Sequence, residues 1–328
     1  MKIAVLMSTY NGEKYIRPQI ESILRQVNVE VTLYIRDDGS SDSTCDIIRA
    51  YQREHKNIIL YCEKNIGVGN SFMQLLYLIN DEYDYYGFCD QDDIWDENKL
   101  CVAINTIKSF TVPTLYVSNQ ILVDKAGNII KKRYDEAPDI SYLQILSQNK
   151  VSGCTMVWNH SLNAILCLPQ HRPSEKLLEN RIHDVWVAMI ASTVGNLIYD
   201  NNGYIYYRQH ENNVVGAQND TKLTIFKNQF NKLIGRAPRN GRSGLAQELV
   251  EKFPNLPPKY SLLFASANPH TIKNKWILIK NREQFLKHTG EHSFNFILTT
   301  LIISKKPGNT GISRDIRTEF TTDLLLSD

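Results

Sequence analysis

Residues 88–95 read FCDQDDIW and crowd Asp90, Asp92 and Asp93 together, with Phe88 and Trp95 on either side. Like charges this close repel, so a folded chain that gathers them implies a positive partner. Hard divalent cations take carboxylate oxygens, and Mg2+ or Mn2+ is often held by one or two of them together with substrate phosphates. In an extended chain Asp90 and Asp92 point to one side and Gln91 to the other. The pair alone is a weak signal, because a solvated acidic loop gives the same letters, and Asp93 suits a cap for the helix that follows. A cap does not explain why Asp90 closes an apolar strand.

Other polar clusters invite the same question. In DDGSSD (37–42), Gly39 permits a tight turn and Ser40 or Ser41 can cap a helix. That leaves one of the two leading acids, Asp37 and Asp38, unexplained, and an acid just after a strand can accept hydrogen bonds from a nucleoside base or ribose. In STYNG (8–12), Tyr10 could lie over a base, although a strand-ending turn also accounts for the segment. GCT (153–155) offers a glycine that permits close approach to a donor sugar or acceptor, or else a strand bulge. In RIHDVW (181–186), Asp184 is favourable at the positive end of a helix beginning there.

The elements that must position these groups alternate. Apolar runs at 3–8, 31–36, 57–62, 85–89 and 114–119 read as strands. Helical patterns lie between them: Tyr15 to Leu24, the stretch SDSTCDIIRAYQRE, Asn70 to Asn80, and Glu97 to Ser109. Such alternation means βαβ units in a mostly parallel sheet flanked by helices. Ligands bind such sheets beyond the carboxyl ends of the strands. STYNG, DDGSSD, EKNIGVG and DQDDIW all fall there.

The totals agree with a large α/β unit plus an extension. The chain has 328 residues, 42% hydrophobic and 22% charged, with a net charge of +2. That charge is too near neutral to imply nucleic acid. The six cysteines include no CxxC pair and no zinc spacing, and read as scattered reduced thiols of a cytoplasmic protein. No signal peptide is expected at MKIAVLMSTYNG, and no stretch reaches the roughly 18 apolar residues of a spanning helix. From about Lys222 the composition becomes basic and helical, so residues 1–220 are expected to form the catalytic domain and 221–328 a helical extension. That extension is a candidate for an anionic membrane surface or a homodimer contact.

The order STYNG, DDGSSD and DQDD resembles the inverting glycosyltransferases of family 2, whose fold is GT-A. FCDQDDIW, GCTM, HDVW, YRQHENNVVG and LTTLIISK are similar, more narrowly, to bacterial rhamnosyltransferases that build rhamnan and other cell-wall or capsular polysaccharides. The resemblance implies roles. Thr9, Tyr10 and Asp38 would hold the nucleoside, with Asn65, Gly67 and Asp90 bordering the nucleotide. Asp90 and Asp92 would hold Mn2+ or Mg2+, with Asp92 the direct ligand and His210 a further one. Asp184 would be the base that deprotonates the acceptor hydroxyl. Trp95, Gly153, Cys154, Thr155, His183 and Arg208 would contact donor or acceptor. The QxxRW motif common in the broader family is absent, and YRQH (207–210) stands at the later position.

The chemistry fits these roles. Displacing a nucleoside diphosphate from an anomeric carbon builds charge on the leaving phosphate, which a cation neutralises. A hydroxyl is a poor nucleophile until a carboxylate takes its proton. The implied reaction moves L-rhamnose from dTDP-L-rhamnose to a lipid-linked or growing glycan at the inner face of the cell membrane. A UDP-sugar donor, or an inactive nucleotide-sugar-binding subunit, are the competing readings. A nucleotidyltransferase or a nicotinamide dehydrogenase would want a glycine-rich loop after the first strand, and STYNGEKY has one glycine.

Overall fold

The strands nearest the acidic loop are apolar without alternation because both faces of their sheet are covered. In β1 (Lys2–Thr9), Ile3, Val5 and Met7 pack on one face and Ala4 and Leu6 on the other, all fully buried. α1 (Ile16–Leu24) closes the first face with Ile16, Ile20 and Ile23. β2 (Glu30–Asp37) repeats the division, with Leu33 and Ile35 against Tyr34. α2 (Thr44–Glu54) adds Ile47 and Ile48 to the first face. After β3 (Ile58–Cys62), α3 (Val68–Leu78) covers the second face with Phe72, Leu75 and Leu76. In β4 (Tyr85–Cys89), Tyr85 and Cys89 meet the first layer, and Tyr86 and Phe88 the second. Each such aliphatic or aromatic burial stabilises by about 1.5–3 kcal/mol.

The computed structural model describes residues 1–79, 82–179, 183–209, 241–289 and 293–302. The chain continues through β5 (Ile94–Trp95), α4 (Lys99–Ile107), β6 (Thr114–Val123) and β7 (Ile129–Lys132). Then come α5 (Tyr142–Ser147), a 3-10 turn at Gly153–Thr155, β8 (Val157–Asn159), α6 (His160–Cys167), α7 (Glu175–Leu178), α8 (His183–Val194) and β9 (Asn196–Arg208). The C-terminal helices are α9 (Gly241–Lys252), α10 (Ser261–Ala267), α11 (Ile272–Lys280), α12 (Arg282–Thr289) and α13 (Ser293–Ile302).

The sheet order is β3-β2-β1-β4-β8-β6-β9-β5, with β7 on β6. The first four strands are parallel. Beyond them the sheet is mixed, because the short β8 runs antiparallel between β4 and β6. Winding reverses between β1 and β4, which opens a crevice at the carboxyl ends of those two strands. Thr9 and Asp90 lie there. β5 pairs antiparallel with β9 at Ile94–Tyr206 and Trp95–Ile205, which draws the end of β9 to the acidic loop.

Leu249, Leu263, Phe285 and Phe296 from the C-terminal helices belong to the same hydrophobic cluster as Phe88 and Trp186. The helical extension therefore continues the second face of the core. The expected boundary at 220/221 lies outside the described residues. The six thiols are unbridged. They are not all scattered, since the sulfurs of Cys45 and Cys62 stand 3.0 Å apart.

Candidate active site

β4 delivers Asp90 to the crevice, and the chain then bends rather than extends through 91–93. Asp90 and Asp92 are half-buried, while Asp93 is 1% exposed beneath them. Oxygens of Asp90 and Asp93 and the Cys154 sulfur lie within 4.8 Å of one another. Burial, then the charges of Asp92 and Asp184, pushes Asp90 up to about 7. Burial, then Asp92 and Asp90, pushes Asp93 well above the ordinary carboxylate range. Lys99 lies underneath, fully buried, with its ammonium 3.7 Å from the centre of the Trp95 ring; burial pulls it down to about 8. Asp93 is thus no helix cap: α4 starts at Lys99, with Asn98 at the capping position.

Arg208, at the end of β9, donates to the backbone carbonyl of Asp92 at 3.4 Å and to that of Lys125 at 3.0 Å. Its guanidinium stands 5.2 Å from the Tyr15 ring centre. Among the described residues the acidic group is therefore closed in by one cation beneath and one beside, yet the carboxyls of Asp90 and Asp93 still hold protons near neutrality. A divalent cation discharges such a group. Carboxylate oxygens at the mouth of a crevice are the donors that Mg2+ and Mn2+ prefer, so the residues present fit the ion.

The rim above is built by side-chain bonds between loops. Gln91 Oε1 accepts from Thr9 Oγ1 at 2.5 Å and from the Tyr10 backbone N–H at 2.9 Å, and its Nε2 donates to the Tyr10 carbonyl at 3.1 Å. This fixes the backbone of Tyr10 and leaves the residue 49% exposed at the crevice edge. Asp37 accepts from the backbone N–H and the hydroxyl of Ser40. Asp38 is buried. It accepts from Arg36 and from the backbone N–H groups of Ile66 and Gly67 at 2.9 and 3.0 Å. Gly67 has a φ of 83°, which a side chain would strain. Asp37 and Asp38 therefore both have structural partners, contrary to the expectation that the turn leaves one of them unused.

Asp184 enters from the opposite side, at the first turn of α8. Its Oδ1 accepts from the Val185 N–H at 2.7 Å and its Oδ2 from Asn149 Nδ2 at 3.3 Å. Burial pushes it up to about 7 against backbone hydrogen bonds from Val185, Asp184 itself and Gly153. The charges of Asp184 and Asp90 sense each other across the crevice. His183 stacks on Phe72 with ring centres 4.3 Å apart and meets Phe88 edge-on at 5.3 Å; burial lowers it to about 3, so the ring is neutral.

The family model described as Glycosyl transferase family 2 matches residues 4–163. A dTDP-rhamnosyl transferase, RfbG of Shigella flexneri, is 33% identical over 218 residues, which is 64% of this chain and 74% of that protein. The chain belongs to glycosyltransferase family 2. A processive diacylglycerol beta-glycosyltransferase of Mycoplasma pneumoniae is 25% identical over 260 residues, 73% of each chain. In fold, the chain is similar to S. aureus TarS 1-349, solved in complex with UDP-GlcNAc, with a TM-score of 0.50, 17% identity and 93% of each chain covered.

Within this family 2 enzyme the structure gathers Thr9, Tyr10, Asp90, Asp92, Asp184, Gly153 and Arg208 around one crevice, with exposed Asn65 and Gly67 on the loop that Asp38 holds. Other expectations need correction. Trp95 is 3% exposed, its ring covered by Lys99, so it lies behind the acidic loop rather than in the crevice. The His183 ring packs inward among aromatics and seats Asp184 instead of meeting a ligand. GCT is a 3-10 turn, not a bulge. Its Cys154 side chain accepts from Gln120 Nε2 at 3.1 Å, and Thr155 Oγ1 donates to the Ser152 carbonyl at 2.7 Å; both point into the protein. His210 lies outside the described residues.

Sequence reading missed Gln91, Asn149, Lys99 and the burial of Asp93. Gln91 lies inside the motif and was passed over because an extended chain would turn it away. Asn149 carries no local signal, since only the fold brings it to Asp184.

Proposed function

We propose that this enzyme transfers L-rhamnose from dTDP-L-rhamnose, with inversion, to a lipid-linked or growing polysaccharide acceptor at the cytoplasmic face of the membrane. The observation that carries the reading is a carboxyl poised near neutrality, Asp184, facing the Asp90–Asp92 loop across a crevice rimmed by Tyr10. The 33% identical dTDP-rhamnosyl transferase supports the donor. The diacylglycerol glycosyltransferase supports a membrane-borne acceptor.

In this mechanism Tyr10 lies against the base, and the 65–67 loop borders the nucleoside. Asp184 accepts the proton of the acceptor hydroxyl as oxygen attacks the anomeric carbon, and Asn149 holds its carboxyl in place. A base with a pKa near the working pH is deprotonated often enough and still binds a proton well. Attack from the Asp184 side and departure toward the acidic loop make the displacement direct. Asp90 and Asp92 would hold Mn2+ or Mg2+, and the ion supplies charge neutralisation at the departing diphosphate. Arg208 braces the Asp92 backbone.

Melting temperature against dTDP, dTDP-rhamnose, UDP and UDP-sugars, with and without Mn2+ or Mg2+, tests the reading. A ligand that binds only the folded state raises the melting point by mass action. A metal-dependent shift with dTDP ligands, lost in Asp92→Ala, is expected. A shift with UDP ligands alone overturns the donor. No shift with any nucleotide overturns the site.

A further inference from the structure

Two of the most exposed large apolar side chains of the described residues share one helix. Ile272 is 87% exposed and Trp276 is 68% exposed. They lie four residues apart on α11, hence on one face. Lys280 continues that stripe four residues on, and Lys273 sits one turn before Trp276; both are exposed. The helix, IKNKWILIK, carries three lysines and no acid. Its other side is anchored, with Leu278 buried and Ile277 against the core cluster. The outward face is therefore fixed in place by packing, and the tryptophan stands out from a rigid support.

We infer that α11 docks this protein on an anionic lipid surface. Ile272 and Trp276 enter the boundary between headgroups and acyl chains, and Lys273 and Lys280 meet lipid phosphates. An indole ring is amphipathic and settles at that boundary. Lysine stems lie along apolar surface while their ammonium groups stay in the headgroup layer. The combination of apolar anchors and basic flanks on one helical face is that of an interfacial helix. Two apolar side chains on a nine-residue helix are far less than a stable dimer interface requires, about 1,200 Å2 or more, which favours lipid over a second copy. The inference deepens the proposed function, since it supplies the surface from which a membrane-borne acceptor would be reached.

The molecule carries its own reporter. Of its four tryptophans, Trp95, Trp158 and Trp186 are at most 3% exposed, and Trp276 alone stands in solvent. Vesicles of phosphatidylcholine with phosphatidylglycerol are expected to shift the tryptophan emission to the blue and to carry the protein in flotation. Pure phosphatidylcholine vesicles should do neither. Trp276→Ala and Ile272→Asp should each weaken flotation by about tenfold or more, and Lys273→Glu with Lys280→Glu should abolish the dependence on anionic lipid. All four positions are exposed, so the melting point should be unchanged. Unchanged emission, equal binding to neutral vesicles, or a loss of dimer instead of vesicle binding in Trp276→Ala would each overturn the inference. The nucleotide-dependent melting shift is read without vesicles, so failure here leaves the glycosyltransferase reading standing.

Discussion

The ring of His183 closes the space over Gly153: a β-carbon there would stand 3.0 Å from His183 Nε2 and 3.4 Å from Asp184 Cβ. The ring has nowhere to retreat, because Phe72 stacks on it and Phe88 meets its edge. Gly153→Ala must therefore push the start of α8, and Asp184 with it. Overpacking of this kind costs about 1–3 kcal/mol. Displacing a reacting group by ~1 Å can cost as much as 100-fold in rate. We expect Gly153→Ala to lower kcat by at least about tenfold, with the donor KM little changed, as steady-state kinetics would show. A rise in donor KM alone would mean that Gly153 faces the donor and does not set the base.

Asp184 offers a test with opposite signs for activity and stability. Its folded pKa of about 7 lies above the ordinary value of 3.8. The folded state thus binds the proton more tightly than the unfolded state. The associated stability is fully present below pH ~4 and is lost as pH rises through 7. Replacement by Asn removes this penalty. Allowing for partial exposure, Asp184→Asn should be more stable than the parent by about 1–2 kcal/mol at pH 8 and indistinguishable near pH 4. Turnover should be lost at every pH. In the parent, kcat/KM should rise with pH on a limb centred near 7, where the free enzyme loses this proton. Melting curves at the two pH values and a pH–rate profile check both halves. Full turnover in Asp184→Asn would remove it from the chemistry.

What sequence could and could not reveal follows from distance along the chain. β1 and β4 were legible because each is buried on both faces and therefore forms an unbroken apolar run, and β2 and β3 because short apolar runs stand between helical patterns. The motifs STYNG, DDGSSD and DQDD were legible because each ends one of the parallel strands. β8 was not, since three residues carry no period, and its antiparallel place between β4 and β6 is set by partners far away in sequence. The same holds inside the site. Asp93 looks like a cap when only its neighbours are read, and becomes a buried acid once Cys154 and Lys99 are brought against it. Trp95 and His183 look like ligand contacts in FCDQDDIW and RIHDVW, because a one-dimensional motif does not say which side chains turn inward.

Arg36 and Asp38 separate a structural role from a binding role. The pair is buried, with the guanidinium also donating to Gln74 Oε1 at 2.8 Å and to the Lys64 carbonyl at 3.0 Å. Removing one partner of a buried pair leaves an uncompensated charge and costs about 3–5 kcal/mol. Arg36→Met should therefore lower the nucleotide-free melting point sharply. Asp38→Asn should lower it as well, because one amide group replaces a carboxylate that accepts from Arg36, Ile66 and Gly67. If Asp38 served only to hold a nucleoside, Asp38→Asn would melt as the parent does without ligand and differ only when nucleotide is added.

The three acids of the loop should answer differently to the same cation. Asp90 and Asp92 open to the crevice, while Asp93 lies beneath with neither oxygen at full hydrogen-bond geometry and the Cys154 thiol alongside. Without a cation, burial and the neighbouring charges disfavour the charged forms of Asp90 and Asp93. Asp93→Asn removes one charge from the interior and should raise the melting point of the metal-free protein at pH 8, where the parent acid is under most pressure to ionise. Asp92→Ala removes a charge from the mouth and should abolish Mn2+ binding measured by calorimetry, and with it the metal-dependent nucleotide shift. Asp93→Asn should weaken that binding by about 10- to 100-fold without abolishing it, because in the proposed assignment Asp93 would support the ligands from below. Loss of Mn2+ binding in Asp93→Asn with retention in Asp92→Ala would reverse the assignment, making the buried acid the ligand and Asp92 a surface charge.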